Sequence, residues 1–290
     1  MVGIEALSDF FRFFEIIGLQ NFSLKDLNER EQSKKSKILH GINAGFLVTL
    51  SSLLMISLAL LVRPKSLHFK NVKELVQYVI GIGLSTALMV VTIVGVLETY
   101  FKADQFKKII ALTKQISVLC SAEFNFDVDY KKFARNLMKK FMIFVSIVVV
   151  VQIAIFVSMI VANVSIRAIA LLLFPRIFMH SVMVIFNFYV ELVNFQLNNL
   201  IEIVDSTIGR QKKLSKNRYH QNEALSMRQC YNFIFQMSQL TNHALRISVL
   251  IITLVLITTV ITMTYENLVE KISGVQIFKR LSKLCVKRSD

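Results

Sequence analysis

Five long stretches of the chain are apolar almost without interruption, and the intervals between them turn amphipathic or polar. Gly41–Val62 carries no charge and ends at Arg63-Pro64; Leu75–Leu97 carries none and ends at Glu98. Phe141–Ala162 is the most apolar, centred on Val148-Val149-Val150-Val151, and Arg246–Tyr265 has a charge only at its first residue. The fourth stretch, Ala168–Ile201, is longer and is interrupted by Pro175, Arg176, His180 and Glu191. A bilayer core of about 30 Å is crossed by roughly 20 apolar residues of helix, because a lipid-exposed backbone must satisfy its own hydrogen bonds. The pattern predicts an all-α, polytopic membrane helix bundle. At about 1.5 Å per residue the fourth stretch exceeds one membrane thickness, so it tilts or its last turns run into water.

The intervals have helical periods of their own. Ile4, Leu7, Phe10, Phe11 and Phe14 recur every three or four residues, with Glu5, Asp9, Arg12 and Glu15 between them, which predicts an amphipathic helix at the membrane interface or packed under the bundle. It has no positive start, continuous apolar core or small-residue cleavage site, so it does not read as a signal peptide. In Lys102–Lys140, Phe106, Ile109, Ile110, Thr113 and Ile116 form one stripe, Ala122–Asp129 breaks it, and Tyr130–Lys140 resumes a basic helix. Spans two and three therefore continue as helices beyond the membrane. Asp205–His243 opens as a polar loop and becomes amphipathic, with Leu225, Cys230, Phe233, Phe235, Met237 and Leu240 on its apolar side. Such a stripe needs cover, and neighbouring helices outside the membrane supply it.

Composition sharpens the class. Hydrophobic residues make up 54% of the chain, above the 45–50% of soluble domains, and two Pro in 290 residues exclude Pro-rich and disordered classes. Three Cys without close spacing exclude a disulfide scaffold and a paired-cysteine metal site. The net charge of +15 is compatible with nucleic acid or an anionic membrane, and the placement of the charges decides for the membrane. With alternating crossings, twenty-two Lys and Arg fall on one side, in the leader and the two long connections, against six on the other. Basic residues follow the cytoplasmic side, so the N-terminus is expected inside, at the cell membrane. The tail, with six basic residues from Lys271 to Arg288, contradicts an odd number of crossings. Either the long fourth stretch hides a second pass or the chain stops before its topology is complete. The expected organisation is a cytoplasmic segment at 1–40, a bundle at 41–266 and a basic tail at 267–290. Cys120 and Cys230 then fall on the reducing side. The tripeptides at Asn21 and Asn163 match a glycosylation pattern but fall inside and at the membrane surface, so both are expected to be unused.

Chemistry concentrates in the fourth stretch. His180, Asn187, Glu191, Asn194 and Asn198 are spaced seven, four, three and four apart and share one helix face. Polar groups in hydrocarbon are costly, so the stripe is expected to face the bundle interior or a hydrated cavity, with His180, Asn187, Glu191 and Asn194 as ligand-pocket candidates. The plainer reading is interhelical hydrogen bonding at about 0.6 kcal/mol each. Small residues on the second span (Gly81, Gly83, Gly95) fit close helix packing, and the threonines of the fifth can bond their own helix. No catalytic motif or metal-ligand spacing occurs: the five His are scattered, and His180 and Glu191 stand about 16 Å apart along the helix, too far for an acid–base pair. No enzyme, cofactor or metal is expected.

The chain resembles the insect gustatory receptors. The likeness is carried by the Phe-rich segment ending in Ile16-Ile17-Gly18-Leu19, by the long basic connection between spans two and three, and by Phe188-Tyr189-Val190-Glu191-Leu192-Val193-Asn194-Phe195. It continues through Gln239-Leu240-Thr241-Asn242-His243-Ala244-Leu245 to Tyr265. The resemblance implies a seven-helix chemoreceptor with a cytoplasmic N-terminus, a tastant-gated cation channel whose subunits form homo- or hetero-oligomers, tetramers in similar receptors. Its partners are then a small-molecule tastant and membrane lipid, not nucleic acid. The family's Thr-Tyr…Gln-Phe run in the seventh helix is missing; Thr264-Tyr265 is followed by Glu266, Glu270 and Lys271 instead. Five spans match the first five, so a member lacking the last two helices is expected. The alternatives are a small transporter, which should show internal symmetry and does not; a G-protein-coupled receptor, which has its N-terminus outside; and a nonconducting modulatory subunit.

Overall fold

A computed structural model describes residues 4–17, 34–61, 72–161, 166–211, 220–261 and 264, and among these residues the regular structure is entirely helical. The basic tail, both glycosylation tripeptides, the connection after the first apolar run and Tyr265 lie outside the described residues. A short 3-10 turn, Ile4–Leu7, leads into α1 (Ser8–Ile17). The long helices follow as α2 (Lys34–Leu61), α3 (Val72–Phe101), α4 (Ala103–Phe124), α5 (Tyr130–Val161), α6 (Ile166–Gln211), α7 (His220–Ala244) and α8 (Arg246–Ile261).

Among the described residues three helices are by themselves long and apolar enough to cross a bilayer, at His40–Ser57, Tyr130–Val157 and Pro175–Gly209. Two further spans qualify only as bent pairs: α3 runs into α4 through a 59° bend, and α7 into α8 through a 60° bend. The bend at Lys102 is what separates the apolar α3 from the amphipathic α4. α5 leaves Ile143, Ile147, Val150, Ile153 and Val157 exposed, and an apolar helix uncovered by protein fits a lipid neighbourhood.

α4 and α7 pair most extensively, and this is where the amphipathic stripes go. On α4, Phe106, Ile109, Ile110, Thr113 and Ile116 are all buried. α7 meets them with Cys230, Ile234, Met237 and Thr241, whereas Leu225 is 65% exposed and Phe235 51% exposed. The buried face of α7 thus follows helical spacing more strictly than hydrophobicity did. α4 ends where Asn125 adopts φ 49° and the Phe126 N–H closes on the Cys120 carbonyl at 3.1 Å, which explains the break in the apolar pattern there. The Asp129 carboxylate then caps α5 by accepting the Lys132 N–H at 2.9 Å.

The N-terminal helix packs on the bundle. Phe10, Phe11 and Phe14 are buried with ring centroids 5.6, 5.4 and 5.4 Å from Phe188 on α6. Phe10 and Phe13 also meet Phe141 edge to face on α5, and Tyr189 beside Phe188 lies tilted against Phe106 of α4 with centroids 4.9 Å apart. Edge-to-face pairs of this kind add about 0.5–1.5 kcal/mol each beyond burial. At Gly95 on α3 an added Cβ would lie 3.1 Å from Val182 on α6, so glycine lets these helices approach closely, while Gly83 has open space around it.

Phe188→Ala is expected to lower stability by about 3–5 kcal/mol and Phe235→Ala by less than about 0.5 kcal/mol, read as thermal unfolding in detergent. Equal effects would mean that α1 does not dock on Phe188.

Candidate functional site

Two hollows line the joint between α5 and α6. The larger, about 610 Å³, is walled by Phe141, Phe144, Val148 and Phe156 of α5 and by Ile177 and His180 of α6, with Phe13 and Leu47 closing one side. The smaller, about 310 Å³, shares Phe141, Phe144 and Val184 with it and is bordered by Lys140, Asn187 and Glu191. Adjoining through these shared walls, they make a mostly apolar groove with Gln152 and His180 on the larger part and Lys140, Asn187 and Glu191 on the smaller. A third hollow of about 650 Å³ lies beside the α7–α8 bend, against Phe186, Asn242, His243 and Arg246.

The stripe on α6 is one face of one helix, and the structure turns it toward α5 rather than into the bundle centre. His180 is half-buried, packs its ring edge-on against Phe144, and has its Nε2 3.4 Å from the Gln152 Nε2 on α5. Glu191 accepts a hydrogen bond from the Lys140 Nζ at 2.7 Å. Asn187 is exposed at the edge of the smaller hollow, and Asn194 and Asn198 are exposed. The groove therefore gathers His180, Asn187 and Glu191, and Asn194 stands outside it. The bundle centre is taken instead by Phe188, Tyr189, Leu192 and Gln196, on the neighbouring face. Gln196, buried, donates from Nε2 to the Tyr130 hydroxyl at 2.9 Å, and Tyr130 donates to the Thr113 carbonyl at 3.3 Å, tying α6, α5 and α4 together. The hydroxyls of Thr253, Thr258, Thr259 and Thr264 each donate to the carbonyl four residues back at 2.8 Å, and Thr253 also borders the hollow beside the α7–α8 bend.

A polar node that the sequence does not announce sits where the two bent pairs meet. Glu98, in the last turn of α3, is buried. Its carboxylate accepts the Ile247 N–H at 3.1 Å, the Ser248 N–H at 2.8 Å and the Ser248 hydroxyl. These amides belong to the first turn of α8, where they have no partner within the helix, and a carboxylate there is also favoured by the helix dipole. Lys102, at the other bend, donates to Glu98 at 3.0 Å and to the His243 carbonyl at 2.7 Å. Gln105 meets the His243 ring at 3.1 Å. One carboxylate thus closes the start of α8 and joins both bends. Toward the far end of the α4–α7 pair, about 27 Å along α4 from Lys102, the buried Cys120 thiol hydrogen-bonds that of Cys230; this contact, with burial, pushes the Cys120 thiol up from its ordinary range. Among the described residues no three His, Cys, Asp or Glu side chains gather as a metal site would need.

Glu98→Ala strands the Ile247 and Ser248 amides and the Lys102 ammonium, at roughly 1–3 kcal/mol for each group left unsatisfied. Glu98→Gln keeps an accepting oxygen and is expected to cost less. Thermal unfolding in detergent should rank the native chain above Gln and Gln above Ala. Amide exchange at Ile247 and Ser248 should speed up most in the Ala variant; unchanged protection there would remove the cap.

A family model described as the 7tm chemosensory receptor matches residues 10–287. No curated protein and no solved structure matches the chain. The matched segment takes in all of the long helices, both bends and the groove between α5 and α6. This membrane helix bundle belongs to the 7tm chemosensory receptor family.

Proposed function

We propose that the protein is a gustatory-type chemoreceptor: a subunit of a ligand-gated cation channel in the cell membrane that detects a small-molecule tastant. Family membership carries this reading. The groove between α5 and α6 supports it, because its size falls within the 300–1,000 Å³ of small-molecule sites and its walls are mostly apolar with a few polar groups. His180, Asn187 and Glu191 border that groove and are the pocket residues; Asn194 and Asn198 continue the polar face toward the cytoplasmic rim. The charge asymmetry of the connections supports a cytoplasmic N-terminus, with residues 1–40 inside, a bundle over 41–266 and a basic segment at 267–290. In that orientation the α4–α7 pair and the Glu98 node stand at and beyond the cytoplasmic face. Subunits assemble as homo- or hetero-oligomers within lipid, as tetramers by resemblance.

The role follows from the arrangement. A ligand that fits the groove touches α5 and α6 at once and favours the spacing of those helices that it binds best, and only such differential binding shifts a conformational equilibrium. α6 packs on α3 and α7, the helices that end at the Glu98 node, so a shift of α6 reaches both bends through packed contacts.

Expression in a heterologous cell tests the reading in two parts. A tag ahead of Met1 should be reached by antibody only after permeabilisation. Tastant panels should evoke a cation current, and His180→Ala should weaken the ligand sensitivity about tenfold, the size of one lost buried hydrogen bond. A tag accessible on intact cells removes the orientation, and a receptor that traffics normally but stays silent across the panels, alone and with family partners, removes the channel.

A further inference from the structure

We propose that the hollow beside the α7–α8 bend seats an anionic phospholipid, with the phosphate at Arg246 and an acyl chain along α8. The hollow, about 650 Å³ and open to the outside, has two kinds of wall. Gln239, Asn242 and His243 of α7 and Arg246, the first residue of α8, make one side polar. Phe186 of α6 and Val249 and Leu250 of α8 make the other side apolar. The four polar residues are all exposed, so a ligand can reach them.

The charge of this lining is unbalanced. No acidic side chain borders the hollow, and among the described residues Arg246 has no acidic partner. The Glu98 carboxylate that closes the start of α8 is held by Lys102 at 3.0 Å, so those two charges offset each other. The His243 Nδ1 is taken by Gln105. What remains is a guanidinium accompanied by the amides of Gln239 and Asn242, and its planar fork matches the oxygens of a phosphate.

Depth selects a lipid over a free phosphate. Arg246 opens the fifth apolar run and therefore stands at the membrane surface; in the orientation proposed above that surface is the cytoplasmic one, where anionic lipids gather. From the hollow an apolar stripe continues up α8, with Ile247, Leu250, Leu254, Ile257 and Ile261 spaced three and four apart and all exposed. From Ile247 to Ile257 it rises about 15 Å, half of a bilayer core of about 30 Å. A phosphate at Arg246 thus leaves its acyl chain against one leaflet's depth of apolar side chains. A free phosphate meets only the polar wall and leaves Phe186, Val249 and Leu250 uncovered. The inference rests on the membrane placement in the receptor reading, not on its tastant or its current.

The test uses the whole chain in nanodiscs and a phosphatidylserine bearing a diazirine on its acyl chain as photolabel. Label is expected to concentrate in peptides covering 183–190 and 242–257. Unlabelled phosphatidylserine should displace it about fivefold better than phosphatidylcholine, the contribution of one basic residue near a membrane surface. Glycerol 3-phosphate in solution should not displace it. Arg246→Gln should remove the preference for phosphatidylserine, and Arg246→Lys should keep most of it. A benzoylphenylalanine substituted for Leu250 should capture lipid. The native competition series decides the matter alone if Arg246→Gln does not fold. Equal displacement by phosphatidylcholine, displacement by glycerol 3-phosphate, even labelling of all apolar helices, an undiminished preference in Arg246→Gln, or capture of a second copy of the chain at position 250 would overturn the proposal. Specific labelling with a Met1 tag exposed on intact cells, or without evoked current, supports the lipid site and removes the orientation or the channel; absent labelling with the tag inside and a tastant current removes the site alone.

Discussion

The structure depends on how a helix can begin in the middle of a fold. α8 starts at a 60° bend from α7, and the first amides of a helix have no partners along the chain. Water would satisfy them at a surface, but Ser248 is buried within the protein, so its amide needs an acceptor from the chain. Glu98 provides it from a residue 149 and 150 positions away in sequence. The same carboxylate is held by Lys102, which stands in the 59° bend between α3 and α4 and also satisfies the last exposed carbonyl region of α7 at His243. The α7–α8 bend leaves backbone groups that side chains at the α3–α4 bend complete, whereas the backbone at Lys102 is bonded within its own turn. Their coupling also fixes the angle at which the apolar α3 and α8 leave the α4–α7 pair.

Around this node the molecule divides by the kind of packing it uses. The α4–α7 pair is a ridge-in-groove contact of Ile, Phe and Met with two thiols, and it resembles the core of a soluble helical protein. α5 is the opposite case. Its outer face is covered by none of the described residues, and it is held to α6 by aromatic rings, the Tyr130–Gln196 bond and the Lys140–Glu191 pair. Loose packing on one helix beside tight packing on another is what leaves a groove, since interiors packed at uniform density have none of this volume. The groove is thus a consequence of where α1 stops: its phenylalanines fill the α5–α6 joint as far as Phe141 and Phe188 and no further.

Much of this was legible in the order of residues, and the exceptions have physical reasons. The helices follow the apolar runs because hydrophobicity over some 20 residues is a strong signal and needs no partner to be read. The α4 stripe, the break after Phe124 and the docking face of α1 follow from local periodicity for the same reason. On α7, apolar character alone included Leu225 and Phe235, which the three- and four-residue spacing of Cys230, Ile234, Met237 and Thr241 leaves exposed. The polar face of α6 was visible as a face, but its direction was not, since a helix wheel carries no information about which neighbour it meets. Glu98 was invisible as a cap for a related reason: it lies at the end of an apolar run, and its partners Ile247 and Ser248 are brought to it by the fold. The order of the chain did hold a faint trace of Glu98, because an acidic residue that ends a span and precedes a lysine by four is an i, i+4 pair.

Gln152 and His180 pose the question of whether polar residues in a bundle are glue or site. Gln196 donates to the Tyr130 hydroxyl at 2.9 Å in a buried joint and Tyr130 donates to the Thr113 carbonyl, while the Gln196 Oε1 is itself buried without a partner. The Gln152–His180 contact is longer, at 3.4 Å, borders an open hollow, and leaves an acceptor and a ring nitrogen unpaired in apolar surroundings. Both joints therefore carry an unpaired amide oxygen, and the shorter bond makes Tyr130–Gln196 the firmer of the two holds between α5 and α6.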